Sequence, residues 1–257
     1  MPAVAPHAIY TNDTATLLAC AELGRRYGVP VIIHLAETED EVRGARERHR
    51  ATPTGYLEAI GFFGPRTLAA HAVWVSDDDI QILKKHNVGV AHNPESNMKL
   101  ASGAAPVGKY AAAGVALGLG TDGAASNNDL DMFEAMRAAA FLAKLVTKDP
   151  TAVSAQTALD MATIGGARAL GMEKEIGSLE PGKRADLIAV SMGAARQTPL
   201  YNAVSHLVYV TRGDDVRTTI VNGKVLMKER QVRTLDRATV IADANRLAQQ
   251  VRMAVKQ

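Results

Sequence analysis

The sequence predicts an α/β chain in which parallel strands are covered by helices and followed by a smaller β-rich region. Three observations carry that expectation. Up to about residue 172, short apolar runs ending in polar residues alternate with longer helical patterns. Four of those runs are apolar throughout, as strands buried on both faces must be. From about Ile176 the texture changes to pieces punctuated by Pro-Gly, Gly-Asp and Asn-Gly turn signals.

Taken in order, a helix is expected over 13–27 (DTATLLACAELGRRY) and a first strand over 28–37 (GVPVIIHLAE). The acids Glu39, Asp40 and Glu41 open the next helix, where negative charge suits the helix dipole. A second strand is expected over 67–75 (TLAAHAVWV), then a helix over 76–86 with Ser76 as its N-cap. The third and fourth strands are 87–94 (NVGVAHNP) and 114–122 (GVALGLGTD), and a long helix follows over 129–147. GSLEPGKRADLIAVS, HLVYVTRG and VRTTIVNGKVLMKERQV read as β-rich, with Asn222-Gly223 as a hairpin turn. A last helix, 237–256, has apolar residues at helical spacing and is expected to pack. The division expected is 1–172, 173–236 and 237–257.

Composition limits the function classes. The 257 residues, 47% hydrophobic and 22% charged, suffice for a sizeable core. The 29 basic and 27 acidic residues give a formal charge of +2 with no polybasic block, so no electrostatic footprint for nucleic acid or an anionic membrane exists. A small neutral or zwitterionic partner fits better. Cys20 is the only cysteine, excludes an intrachain disulfide, and reads as a small core residue of a helix. No secretory-signal pattern or run of transmembrane length is present, so the cytoplasm is the expected location. GLGTDG lacks the spacing and helix context of a phosphate-binding loop.

The chemistry gathers at strand ends. His34, His71, His92 and Asp122 stand at or just past the C-terminal ends of successive strands, at intervals of 37, 21 and 30 residues. That is the edge of α/β folds where ligands bind. His34 and Asp122 are the type of donor that a borderline divalent cation takes, zinc first and iron(II) as the alternative. Glu37, three residues after His34, suits a proton carrier beside a metal-activated water, and His71 could orient that water. HNPESN (92–97) reads as a polar loop over the site, with Asn93-Pro94 forcing a turn. His49, His86 and His206 are assigned to surface or packing.

HLAETEDEV, AAHAVWVSDDDI, AHNPESNMKLASGAAPV, GLGTDGAASNNDLDMFEAMRAAAFLAK and GSLEPGKRADLIAV resemble, in order, the second half of the metal-dependent amidohydrolase superfamily. Within it they look most like the 5-methylthioadenosine/S-adenosylhomocysteine deaminases. The similarity covers nearly the whole chain. It implies a (β/α)8 TIM-barrel of amidohydrolase type with a C-terminal β-sandwich region. It also implies that His34 and Asp122 are metal ligands, that Glu37 is the proton shuttle and a substrate contact, and that His71 lies near the metal's water. Asp122 would help activate that water and meet the substrate, and His7 in PHAIY would contact the substrate. The implied reaction is hydrolytic deamination of the adenine ring, with no organic cofactor. Guanine deaminases and triazine or chlorohydrolases of the same superfamily are the alternatives, and a non-catalytic chain is a third reading.

Members of this family carry a His-x-His ligand pair, and none of the seven histidines here forms one. Residues 1–172 hold the end of one strand and four strand–helix units, where a closed barrel needs eight. A half-barrel is therefore expected, with weak metal binding and little turnover in isolation. Strands 29–34 and 115–121 are expected to have open edges that could pair with another chain, as in a homo-oligomer.

Overall fold

The computed structural model describes residues 2–64 and 66–255. In chain order the elements are α1 (Thr14–Tyr27), β1 (Val31–Leu35), α2 (Glu39–His49), α3 (Pro53–Ala59), β2 (Thr67–His71), α4 (Asp77–Lys85), β3 (Gly89–His92) and α5 (Pro94–Lys99). They continue with α6 (Val107–Ala113), β4 (Leu117–Leu119), α7 (Ala124–Asn127), α8 (Met132–Thr147), α9 (Ala155–Asp160), a π-helical turn (Met161–Gly165) and α10 (Gly166–Ala169). The last are β5 (Leu187–Val190), α11 (Ala203–Tyr209), β6 (Val216–Val221), β7 (Lys224–Lys228), β8 (Gln231–Val232) and α12 (Arg237–Val255).

Strands β1 to β4 form one parallel sheet in sequence order, with Ile33 beside Ala69, Ala69 beside Val90 and Val90 beside Leu117. Each neighbour is reached through helices, as parallel pairing requires. Local signals set the element ends: Asp13, Thr38, Thr52 and Ser76 each cap a helix with a side-chain oxygen, and Ser76 with Asp79 closes a full capping box. The core of this sheet joins Val31, Ile33, Leu35, Ala69 and Val90 to Leu17, Leu57, Leu83 and Tyr110 from the covering helices and to Phe62 from the turn after α3. On the far side, the π-helical turn and α10 pack so close to β4 that a Cβ on Gly118 would lie 2.7 Å from the Gly166 Cα.

The β-rich region is one antiparallel sheet, β5-β6-β7-β8. Its hairpin turns on Asn222 and Gly223, both at positive φ (49° and 75°), as a two-residue primed turn demands. A second core attaches it, formed by Phe133, Met136, Ala140 and Ala158 from the helices with Val208 and Val216. Arg137 also donates to the Thr211 carbonyl at 2.8 Å, and Asp131 accepts from the Gly213 N–H at 2.7 Å.

Several expectations need correction. HLVYVTRG is helix rather than strand over Ala203–Tyr209, because Asn202 caps it through the Ser205 N–H and Val208 is driven into the second core. HNPESN is no loop: Pro94, with its φ already set for a helix, starts α5. Cys20 is only half-buried, on the flank of α1 rather than its core face. Among the described residues α12 has none buried, and Ile241, Leu247 and Val251 are 49%, 52% and 61% exposed, so the expected packing is not found.

The edge of β1 is not open either. Val4 donates to the Pro30 carbonyl and accepts from the Ile32 N–H, both at 2.9 Å, and the His7 carbonyl accepts from the His34 N–H at 3.0 Å. Residues 4–7 thus run as a short parallel arm along β1. Strand β4 pairs only with β3 among the described residues. No described helix is long and apolar enough to cross a membrane.

Candidate active site

Three strand ends bring the expected residues together. His34 lies in β1, Glu37 two residues beyond it, His71 at the last position of β2, and Asp122 just past β4. The His71 Nε2 is 3.8 Å from a Glu37 carboxylate oxygen and 3.9 Å from one of Asp122. The imidazoles of His34 and His71 stack at 5.4 Å, and His7 continues the row at 4.9 Å from His34. His7 itself is exposed and meets the Thr11 hydroxyl at 2.9 Å.

The backbone turns sharply to achieve this. Ala36 (φ 49°), His71 (70°), Ala72 (45°) and Asp122 (63°) all adopt the left-handed region. For a side chain other than glycine that costs about 1–2 kcal/mol each, so neighbouring bonds must hold these turns. Those bonds are present: the Ala72 N–H donates to the Leu35 carbonyl at 2.9 Å, and the Tyr110 hydroxyl donates to the Ala72 carbonyl at 2.5 Å.

Glu41 stands in the first turn of α2, as expected, and is also only 6% exposed. Its carboxylate accepts from the Ala36 N–H at 3.0 Å and the Glu37 N–H at 2.8 Å, fixing the turn that presents Glu37. Burial pushes its pKa up against those hydrogen bonds, with the Glu37 charge adding to the rise.

Asp122 is only partly buried, and burial raises its carboxyl. Hydrogen bonds from the Ser126 and Ser96 hydroxyls, both 2.7 Å, with a bond from the Gly123 N–H and the nearby His71, outweigh that and hold it below its ordinary value. It is therefore an anion near neutral pH. The Ser102 hydroxyl donates to Glu37 at 3.0 Å, and the His71 Nδ1 lies 2.8 Å from the Asn97 Oδ1. The His34 Nδ1 must donate to the His7 carbonyl, 2.8 Å away, since a carbonyl only accepts.

One donor atom each from His34, His71 and Asp122 lies within 4.8 Å of the other two. Two imidazoles and one carboxylate suit a borderline cation such as zinc, so the residues fit a divalent metal. His92 does not join them. It is 1% exposed, its Nδ1 has no partner among the described residues, and burial, aided by the His71 charge, pushes its pKa down to about 4. The other histidines pack as expected: His49 stacks on Tyr56, His86 meets Glu58 and His206 meets the Asn202 carbonyl.

The sequence reading missed Glu41, Ser96, Asn97 and Ser102. NPESN held a clue, since a run of buried polar residues after a strand needs partners.

The chain is similar to known proteins over nearly its whole length. A 5′-deoxyadenosine deaminase of Methanosarcina mazei is 49% identical over 246 residues, 96% of this chain and 56% of that protein. A 5-methylthioadenosine/S-adenosylhomocysteine deaminase of Moorella thermoacetica is 50% identical over 241 residues, 94% of this chain and 56% of that protein. An adenosine deaminase from Xanthomonas campestris, solved with bound zinc, superposes with a TM-score of 0.94 at 39% identity, over 98% of this chain and 57% of that one. An atrazine chlorohydrolase from Arthrobacter aurescens, also solved with zinc, gives 0.84 at 26% identity, over 95% and 54%. The chain thus spans about half the length of the curated relatives it matches. Its four parallel strands with covering helices are the corresponding part of their fold. Residues 1–226 match the amidohydrolase family as a whole, and the chain belongs to that family.

Proposed function

We propose that this chain carries one side of the active site of a hydrolase that deaminates the adenine ring of 5′-substituted adenosines, with 5′-methylthioadenosine and S-adenosylhomocysteine foremost. The observation that carries the reading is the meeting of His34, Glu37, His71 and Asp122 from three strand ends, with the His71 Nε2 within 3.9 Å of both carboxylates. The deaminase names of relatives at about half identity support the nucleoside substrate.

His34 and Asp122 would hold a divalent ion, zinc by preference, with His71 close beside them. Such an ion, when bound, supplies the Lewis acidity that makes water nucleophilic near neutral pH. The protein's own groups do the rest. Water adds at C6 of the ring and ammonia departs, leaving the inosine derivative. Glu37, steadied by Ser102 and by the Glu41 bonds behind it, takes a proton from that water and delivers it to N1. Asp122, kept anionic by its serine donors, draws the water's remaining proton and passes it to the amino group, which departs as ammonia. His71 orients the water, and His7, at the exposed rim, contacts the substrate.

The test is loss of adenine absorbance with methylthioadenosine and added zinc, in this chain alone and joined to the N-terminal portion of a relative. Glu37→Gln is expected to lower kcat about 10²- to 10⁴-fold in the joined form. An unchanged rate would remove Glu37 from the proton path. Faster turnover of guanine or a chlorotriazine than of the thioether nucleoside would move the substrate class.

A further inference from the structure

One short stretch braces the site from above. Within seven residues, Ser96 donates to Asp122, Asn97 meets the His71 Nδ1 and Ser102 donates to Glu37. Three of the four central side chains, from three different strand ends, are therefore held by the segment that follows β3. Two of those partners are hydroxyls, which rotate to suit whatever faces them. Asn97 is different, because its two ends impose opposite hydrogen-bond polarity on the ring.

Asn97 is fully buried, and its amide nitrogen has no partner among the described residues. An unmet buried donor costs about 1–3 kcal/mol, so the amide is not there for its nitrogen. Asp would accept as well without the stranded N–H, but would place a charge at a fully buried position beside the ring. A neutral acceptor is what this position supplies. His71 is itself 1% exposed, so bulk solvent does not take over the task.

The opposite edge of the ring faces the Glu37 and Asp122 carboxylates. A bare Nε2 there offers a lone pair; a protonated one would be spent on a carboxylate. His34 has the same arrangement by a different route, since the His7 carbonyl fixes its Nδ1–H. The two stacked rings would then present matching nitrogens.

We propose that Asn97 is a positioning residue whose side-chain oxygen holds His71 in the Nδ1–H form, leaving the Nε2 lone pair turned toward Glu37 and Asp122. The metal consequence rests on the function proposed above; the tautomer does not.

Histidine-selective nitrogen NMR of the metal-free chain at mildly alkaline pH reads the tautomer directly. The His71 signals are identified by their loss in His71→Gln. The wild-type ring is expected to carry its proton on Nδ1, and a proton on Nε2 would overturn the proposal. Asn97→Asp, which only accepts while ionised, is expected at that pH to keep the tautomer and a zinc affinity within about threefold, measured by competition with a fluorescent chelator. Asn97→Leu is expected to give a mixture of tautomers and about 10- to 100-fold weaker zinc binding. Switching of the tautomer by Asn97→Asp, or an unaltered tautomer in a folded Asn97→Leu, would also overturn it. If the leucine variant does not fold, the wild-type and aspartate results decide. The expected tautomer in a chain that binds no zinc removes the metal reading and leaves Asn97 its role. Zinc binding with the other tautomer does the reverse.

Discussion

The parallel-sheet region buries most of its large apolar side chains, whereas the C-terminal region leaves many of its own in solvent. Around β1 to β4, Leu17, Ile33, Leu35, Leu57, Phe62 and Leu83 are at most 2% exposed. In the C-terminal region Ile188, Val221, Val232, Leu235 and every apolar position of α12 named above remain more than 40% exposed. The second core under Phe133 and Val216 ties the antiparallel sheet down by one face only. Burial is thus concentrated where three strand ends must hold a site. The lesson is that the apolar patterning of α12 reports an available face, whereas burial reports which face is used.

The contrast can be broken most directly by truncating one side chain in each region. Phe62→Ala is expected to cost about 3–5 kcal/mol in chemical denaturation, because it removes a fully buried ring from the first core. A cost below about 1 kcal/mol would mean that this core is not the stabilising one.

The next effect is a pH dependence at His92. In the unfolded chain this imidazole protonates at its ordinary value of 6.5, while the folded chain refuses the proton down to about 4. Stability should therefore be full above pH 6.5 and fall as the pH drops toward 4, by about 3 kcal/mol from this one group. Denaturation midpoints of the wild type and His92→Phe across that window check it. The variant should show a flatter acid limb, and equal slopes would assign the acid lability to other groups.

The smallest effect belongs to α12. Leu247→Ser should change stability by less than about 0.5 kcal/mol, since that side chain is 52% exposed and packs against no core. A loss comparable with that of Phe62→Ala would erase the distinction between the regions.

The readable part of the site is the part that strands deliver. His34 and His71 end continuous apolar runs, and Asp122 follows one, so their placement needed only the parallel-strand pattern. Glu37 was readable through its spacing from His34. The bracing residues were not, because serine and asparagine in NPESNMKLAS look like turn chemistry and their partners lie 26 to 65 residues away. Glu41 was hidden for a similar reason: an acid in a helix's first turn usually faces solvent, and only the turn at Ala36 brings two N–H groups above it. In the β-rich region Asn222-Gly223 read correctly because its φ demands are local. Residues 203–209 did not, since burial of Val208 and the Asn202 cap override the β-branched and aromatic composition.

The arm at residues 4–7 also has a consequence in time. The His7 carbonyl receives both the backbone N–H and the ring Nδ1–H of His34. Lifting the arm would bare the amides of Ile32 and His34 to solvent exchange and set the imidazole free in the same event. The exchange rate at Ile32 then clocks how often the ring can leave its place, so that the lifetime of one backbone contact limits how long the site stays assembled.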